Sequence, residues 1–350
     1  FAAQGELNDE PPPPLPTEQP LSAPLPFTLE RSLEAPPPLE PVGEYYAIPY
    51  TDPGTDEINT DVGGTIATDT TWNLAGSPYD VTSNLTVAAG ATLTIEPGVV
   101  VNVNQGISFM VNGTLLANGN SGARIIFAGA SATPGFWSGI YLEGSPGSPI
   151  SGSSLSYVDL RDGGYYNSRP ANLYLYYASV TLDNVTISNG RYSGVYGSEQ
   201  GLAHISSSTL SNNGTSSPEQ DYPIWFQDGD VAPDLSGLTL SGNSADVIAF
   251  GAGTLSTRTW RSLGYPYVFT GSQLLSAGAT LTVEPGVTAR FAQSVSLMIN
   301  GTLLADGRVV VAGGVSNDHV GLPCCTSTAT AEIYDAANFR DRISLAGAVA

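Results

Sequence analysis

Apolar and polar residues alternate in short runs along most of the chain. Leu93 and Ile95, then Val99, Val101 and Val103, then Phe109 and Val111 recur at every second position, and Glu-Pro-Gly or Asn-Gly interrupts the runs every few residues. Alternation of period two with glycine punctuation predicts strand-turn-strand rather than helix. In the middle of the chain the pattern changes to φ-x-x-φ-x-φ, where φ is apolar or a single polar stand-in. It is carried by Leu155/Val158/Leu160, Leu182/Val185/Ile187, Ile205/Ser208/Leu210 and Leu235/Leu238/Leu240, at spacings of 27, 23 and 30 residues. A polar turn follows each: Arg161-Asp-Gly163, Ser188-Asn-Gly190, Ser211-Asn-Asn-Gly214 and Ser241-Gly-Asn243. Repeats of this length that each bury one face, with Asn and Gly stacked at the corners, predict an all-β parallel β-helix, or β-solenoid.

A longer repeat is superposed on this one. At an offset of 188 residues, 72–119 aligns with 260–307 without a gap. Ala91-Thr-Leu-Thr-Ile-Glu-Pro-Gly-Val99 matches Ala279-Thr-Leu-Thr-Val-Glu-Pro-Gly-Val287, and Met110-Val-Asn-Gly-Thr-Leu-Leu-Ala117 matches Met298-Ile-Asn-Gly-Thr-Leu-Leu-Ala305. In the repeated Glu-Pro-Gly, Pro presets φ and Gly supplies a positive φ, so both should be tight corners between strands.

These motifs resemble right-handed parallel β-helices of the pectin-lyase-like group. More narrowly, they resemble bacterial and archaeal surface proteins in which a GATLTIEPGV…V.GTL.A.G module precedes φ-x-x-φ-x-φ coils; the resemblance covers roughly residues 64–315. That fold hosts polysaccharide lyases and hydrolases, adhesins, tailspikes and structural surface proteins, so it does not choose a function. The hydrolase branch implies an Asp-Asp pair, a Gly-His-Gly and an Arg-x-Lys, and the sequence contains none of them. The lyase branch implies an Asp cluster with a basic proton acceptor. Asp159, Arg161 and Asp162 lie together, but Asp159 and Arg161 share the outward parity, which reads as a surface ion pair.

Residues 1–60 differ in kind, with 14 of the 26 Pro and 11 acids against Arg31 alone. This composition predicts an extended, Pro-rich acidic arm or linker. It retains Leu15, Leu25 and Phe27, apolar anchors that suit docking on a neighbouring subunit. The expected organisation is therefore an arm over 1–60, a β-helix over 61–315 and a C-terminal segment or cap over 316–350.

The 11 basic residues are all Arg, which excludes Lys Schiff-base chemistry and a P-loop. A net charge of −21 argues against nucleic acid, and no apolar run is long enough to span a membrane. Five N-x-[ST] sequons, at Asn84, Asn112, Asn184, Asn213 and Asn300, fit a secreted or cell-surface setting. Adjacent Cys324 and Cys325 cannot build a disulfide framework, and the residue spacing is too short for a relaxed bridge between them. Free thiols and bonds across subunits remain as alternatives. Asp221, Asp228, Asp230 and Asp234 lie on a Gly- and Pro-containing stretch that would suit Ca²⁺, with a solvated acidic loop as the other reading. His204 should face solvent.

Tyrosine clusters: seven of the 17 lie between Tyr165 and Tyr196. Tyr165, Tyr166, Tyr174 and Tyr176 are candidates for a protein interface, aromatic rings also being able to bind sugar or to stack along the coil. Without a catalytic set, the expectation is a non-enzymatic, self-assembling surface protein forming a filament, sheath or layer. The alternative is a β-helix that binds or cleaves polysaccharide.

Overall fold

A computed structural model describes residues 59–165, 168–214 and 222–305, and the strands Arg308–Gly313 and Ala331–Asp335. Residues 1–58, and with them Leu15, Leu25 and Phe27, lie outside the described residues, as do Tyr166, Asp221, Cys324 and Cys325.

The described chain is a β-solenoid of about ten turns without an α-helix. Its strands stack in three faces. The first face runs Thr70–Trp72, Thr92–Ile95, Thr114–Asn118, Ile150–Ser156, Ala178–Asp183, Leu202–Ser206 and Leu235–Ser236. The second starts on residues 79–81 of Tyr79–Val87 and continues through Val100–Val103, Ile125–Gly129, Val158–Arg161, Thr186–Ser188, Thr209–Ser211 and Thr239–Ser241. The third starts on residues 85–87 and continues through Ser108–Val111, Gly139–Glu143, Ala171–Tyr176, Ser193–Ser198 and Ile224–Phe226. Every one of these pairings is parallel.

The φ-x-x-φ-x-φ residues form the core in register. Leu155, Leu182, Ile205 and Leu235 are successive partners on the first face. Leu160, Ile187, Leu210 and Leu240 are successive partners on the second, and all eight are buried. Ser208, the polar stand-in, is buried too. Its Oγ accepts the Val185 N–H at 3.0 Å and donates to the Ser206 carbonyl, so the slot stays satisfied.

The expected Asn corner is a ladder. Asn172, Asn213 and Asn243 bond side chain to side chain at 3.0 and 3.1 Å. Asn213 also accepts from Gly190 N–H (3.0 Å) and donates to the Ile187 carbonyl (3.1 Å). Gly190 is required beside it, because a Cβ there would lie 2.5 Å from Asn172 Nδ2 and 2.8 Å from Asn213 Oδ1. Asn213 is fully buried, so the side chain of this sequon belongs to the interior of the fold. The two Glu-Pro-Gly corners are tight turns as expected, with Val99 N–H on Glu96 O and Val287 N–H on Glu284 O at 3.3 Å. Gly98 and Gly286 take φ of +85° and +84°.

The sequence duplication is a structural one. Arg258–Trp260, Thr280–Val283 and Thr302–Ala305 repeat the first-face strands of the first copy, and Thr288–Phe291 repeats Val100–Val103. The copies meet at a seam where the first two faces stop, at Leu235–Ser236 and Thr239–Ser241. Only the third face passes through: Ile224–Phe226 pairs with Ile248–Phe250, which pairs with Tyr267–Phe269. Tyr267–Phe269 is the equivalent of residues 79–81, which open the second face in the first copy. The second copy is therefore turned by one face relative to the first. Its last strand on this line, Arg308–Gly313, is met antiparallel by Ala331–Asp335.

Asn213→Ala leaves the Gly190 N–H unpaired inside the corner and takes one acceptor from the Asn172 amide, while the Ile187 carbonyl keeps its place in the parallel ladder. The expected loss of stability is about 1–3 kcal/mol, measured by urea denaturation; an unchanged midpoint would contradict the ladder.

Candidate functional site

Several outward carboxylates are tied to neighbouring coils. Asp69 accepts the Thr92 N–H at 2.8 Å, Glu284 the Ser262 N–H at 2.9 Å, Asp80 the Asn102 amide at 2.9 Å and Asp183 the Ser206 hydroxyl at 2.6 Å. Arg169 reaches both oxygens of Glu143. Asp159 is paired as well, but not with Arg161: Arg124 holds its Oδ1 at 2.8 Å through Nη2 and 3.0 Å through Nε, and also bonds the Val158 carbonyl. The reason is register. Val158 stacks on Ile125 and Asp159 on Ile126, which sets Arg124 diagonal to Asp159 on the coil below, within reach of its carboxylate.

The described acids of the candidate Ca²⁺ stretch are each engaged separately. Asp228 accepts the Gln200 N–H, Asp234 pairs with Arg261 at 3.0 Å, and Asp230 turns its carbonyl to Arg258. Among the described residues no three His, Cys, Asp or Glu side chains are grouped as metal ligands. His204 faces the next coil, where its Nδ1 accepts the Asp234 N–H at 3.2 Å.

On the outer side of the third face, Tyr141, Tyr174, Tyr196 and Trp225 occupy one register column. Tyr174 and Tyr196 stack at 5.6 Å, while Tyr141 and Trp225 meet them edge-on at 5.8 and 5.0 Å. Arg169 lies 5.1 Å over the Tyr141 ring. Tyr174 is only 8% exposed, so this column is a satellite core on the outside of the coil. Burial raises the Tyr174 phenol and pushes Tyr196 up to about 12. Tyr176 is half-buried, edge-on to Tyr177 at 4.9 Å, and Tyr165 is exposed. Counting tyrosines along the chain missed Tyr141 and Trp225, which join the column only through register; their outward slots in apolar strands were the available signal.

A cavity of about 300 Å³ opens at the seam, floored by Phe250, Trp260, Tyr267 and Phe269 and rimmed by Arg258 and Arg261. Arg258 donates to the carbonyls of Gly229, Asp230 and Val231 at 2.7–3.2 Å and to Ser256. Burial lowers its pKa. In the first copy the equivalent residues are Thr70 and Asn73, so both arginines are particular to the second; the aligned copies already marked Arg261, while Arg258 lies just before the aligned stretch.

Asp162 is the one described acid that is nearly fully buried, at 1% exposure. Asn189 donates to its Oδ1 at 2.6 Å; Oδ2 has no hydrogen bond and lies 3.7 Å from Arg161 Nε. Burial raises its pKa above the ordinary 3.8, against the lowering effect of Asn189 and Arg161.

Residues 64–165 match the family model described as a pectate-lyase like beta helix domain. With the parallel stack of coils, this makes the fold similar to that of pectin-lyase-like right-handed parallel β-helices. No curated protein and no solved structure matches the chain.

The raised pKa of Asp162 has a definite sign in stability. Between its unfolded and folded values the folded chain holds a proton that the unfolded chain has lost, so stability falls as pH rises through that window and the cost persists at neutral pH. Asp162→Asn keeps an acceptor for Asn189 and removes the buried charge. Thermal melts should show a higher Tm than the parent at pH 7, with the difference closing below the unfolded value; a lower Tm at pH 7 would overturn this reading.

Proposed function

We propose that this chain is a secreted or cell-surface structural protein, a non-catalytic β-solenoid that assembles with copies of itself. The observation that carries the reading is the use made of its outward acids. Glycoside cleavage on two carboxylates needs a pair set apart across the scissile bond, and Ca²⁺ needs several oxygens turned to one point. Here Asp69, Asp80, Glu143, Asp159, Asp183 and Glu284 each hold a neighbouring coil. The resemblance to bacterial and archaeal surface proteins supports the extracellular location.

One observation favours a second reading, polysaccharide binding. The seam cavity has an aromatic floor and an arginine rim, and aromatic faces stack on sugar rings. The net charge of −21 would direct such binding to neutral rather than acidic glycans.

The purified protein, incubated with pectate, alginate and neutral plant and microbial glycans, is expected to release neither unsaturated uronate absorbance nor new reducing ends, and to form regular assemblies under negative-stain electron microscopy. Turnover of any of these polymers would overturn the structural reading. Affinity electrophoresis in gels containing the same glycans, with Trp260→Ala as comparison, decides the second reading.

A further inference from the structure

Among the described residues the two ends of the solenoid carry strands without a further partner, and the internal seam shows how such edges join. At the N-terminal end, Thr60–Ile66 pairs, among the described residues, with Tyr79–Val87 alone. At the C-terminal end, Leu297–Ile299 and Thr302–Ala305 are the last strands of their sheets among the described residues. Their equivalents in the first copy, Ser108–Val111 and Thr114–Asn118, are covered by a following coil. The difference shows in burial: Phe109, Val111, Leu115 and Ala117 are fully buried, whereas Ile299, Leu303 and Ala305 are half-buried, with Met298 and Leu304 at 55% and 51% exposure.

We infer that the C-terminal edge of one chain receives the N-terminal edge of a second copy, head to tail, through Leu297–Ile299 and the first residues of Thr60–Ile66. This rests on the assembly reading above and names its contact. Ile248–Phe250 stands in the second copy where residues 60–62 stand in the first, since each pairs with the matching strand, Tyr267–Phe269 or residues 79–81. At the seam it stacks on Ile224–Phe226, the end of the third face. Leu297–Ile299 is the third-face strand of the second copy, so it offers the same kind of end. The inward-outward-inward order also agrees: Ile224, Trp225, Phe226 against Leu297, Met298, Ile299. The antiparallel strand Ala331–Asp335 lies on the line through Thr288–Phe291 and Arg308–Gly313. That line is equivalent to the second face, which carries no pairing across the internal seam. One contact of this kind would cover Leu297–Ile299 and the first residues of Thr60–Ile66, and would leave Thr302–Ala305 at the end of its sheet as Leu235–Ser236 is at the internal seam. Its register is Leu297 on Thr60, Met298 on Asp61 and Ile299 on Val62, by transfer from Ile224 on Ile248.

Outward residues of adjacent strands lie within disulfide reach, the strands being about 4.8 Å apart. In a full-length background carrying Cys324→Ser and Cys325→Ser, a mixture of the Met298→Cys chain and the Asp61→Cys chain should give a reducible dimer containing one of each. Both substitutions in one chain should give a ladder of dimers, trimers and longer species. Met298→Cys mixed with Ser83→Cys, exposed at the bend of Tyr79–Val87, is the control and should give neither. Sedimentation of the parent protein separates this contact from the reading beneath it. Assemblies that sediment but do not cross-link above the control overturn this interface alone. A monomer at every concentration overturns both, and a monomer whose Met298 resists peroxide identifies the chain's own segments as what covers the edge.

Discussion

Everything in this molecule depends on in-register parallel stacking. Each coil satisfies the backbone groups of the coil before it, so a residue's environment is set by what lies above and below it, one turn away in sequence. A column that begins with an apolar residue must stay apolar, and a polar residue in that column must bring its own partners. Ser208 bonds Val185 N–H and Ser206 O, and the Asn172–Asn213–Asn243 ladder satisfies itself. The same rule makes a small residue obligatory wherever the ladder leans across a coil, as at Gly190.

Columns of this kind are legible in sequence because they repeat. The φ-x-x-φ-x-φ positions, the Glu-Pro-Gly corners and the offset of 188 residues each announce a local requirement met again one coil or one module later, and the structure places them as core columns, turns and equivalent strands. Partnerships that cross coils without repeating were not legible. The outward parity of Asp159 and Arg161 is as expected, but which cation reaches Asp159 depends on the register between Val158 and Ile125, which spacing alone does not give. The tyrosine column is similar: Tyr174 and Tyr196 were visible as a cluster, but their burial comes from Tyr141 and Trp225 on coils far away in sequence.

The seam was hidden for a different reason. A duplicated sequence suggests that both copies continue one stack in one phase, yet only the third face crosses the junction and the second copy turns by one face. The turn leaves first-face strands on either side of the seam without ladder partners across it. Arg258 spans this gap through the carbonyls of residues 229–231, and Phe250, Tyr267, Phe269 and Trp260 fill most of the interior behind it. Arginine suits the position because its planar fork can serve several carbonyls at once, which the Thr70 of the first copy could not do.

Part of the acidity of the coils follows from the same geometry. At corners, where the ladder lacks a carbonyl for a backbone N–H, a side-chain oxygen from the neighbouring coil can stand in. Asp69 does so for Thr92, Glu284 for Ser262, Asn84 for Ser108 and Ser77 for Val100. Such sites call for acceptors, and carboxylates make the stronger charge-assisted bonds. A solenoid stitched in this way has a use for Asp and Glu at such joints; residues 61–350 carry −11 of the net −21, the other −10 lying in residues 1–60. The stitching also removes acids from chemistry: a carboxylate whose lone pairs hold a neighbouring coil is positioned for stability, and freeing it for catalysis would loosen the joint it closes.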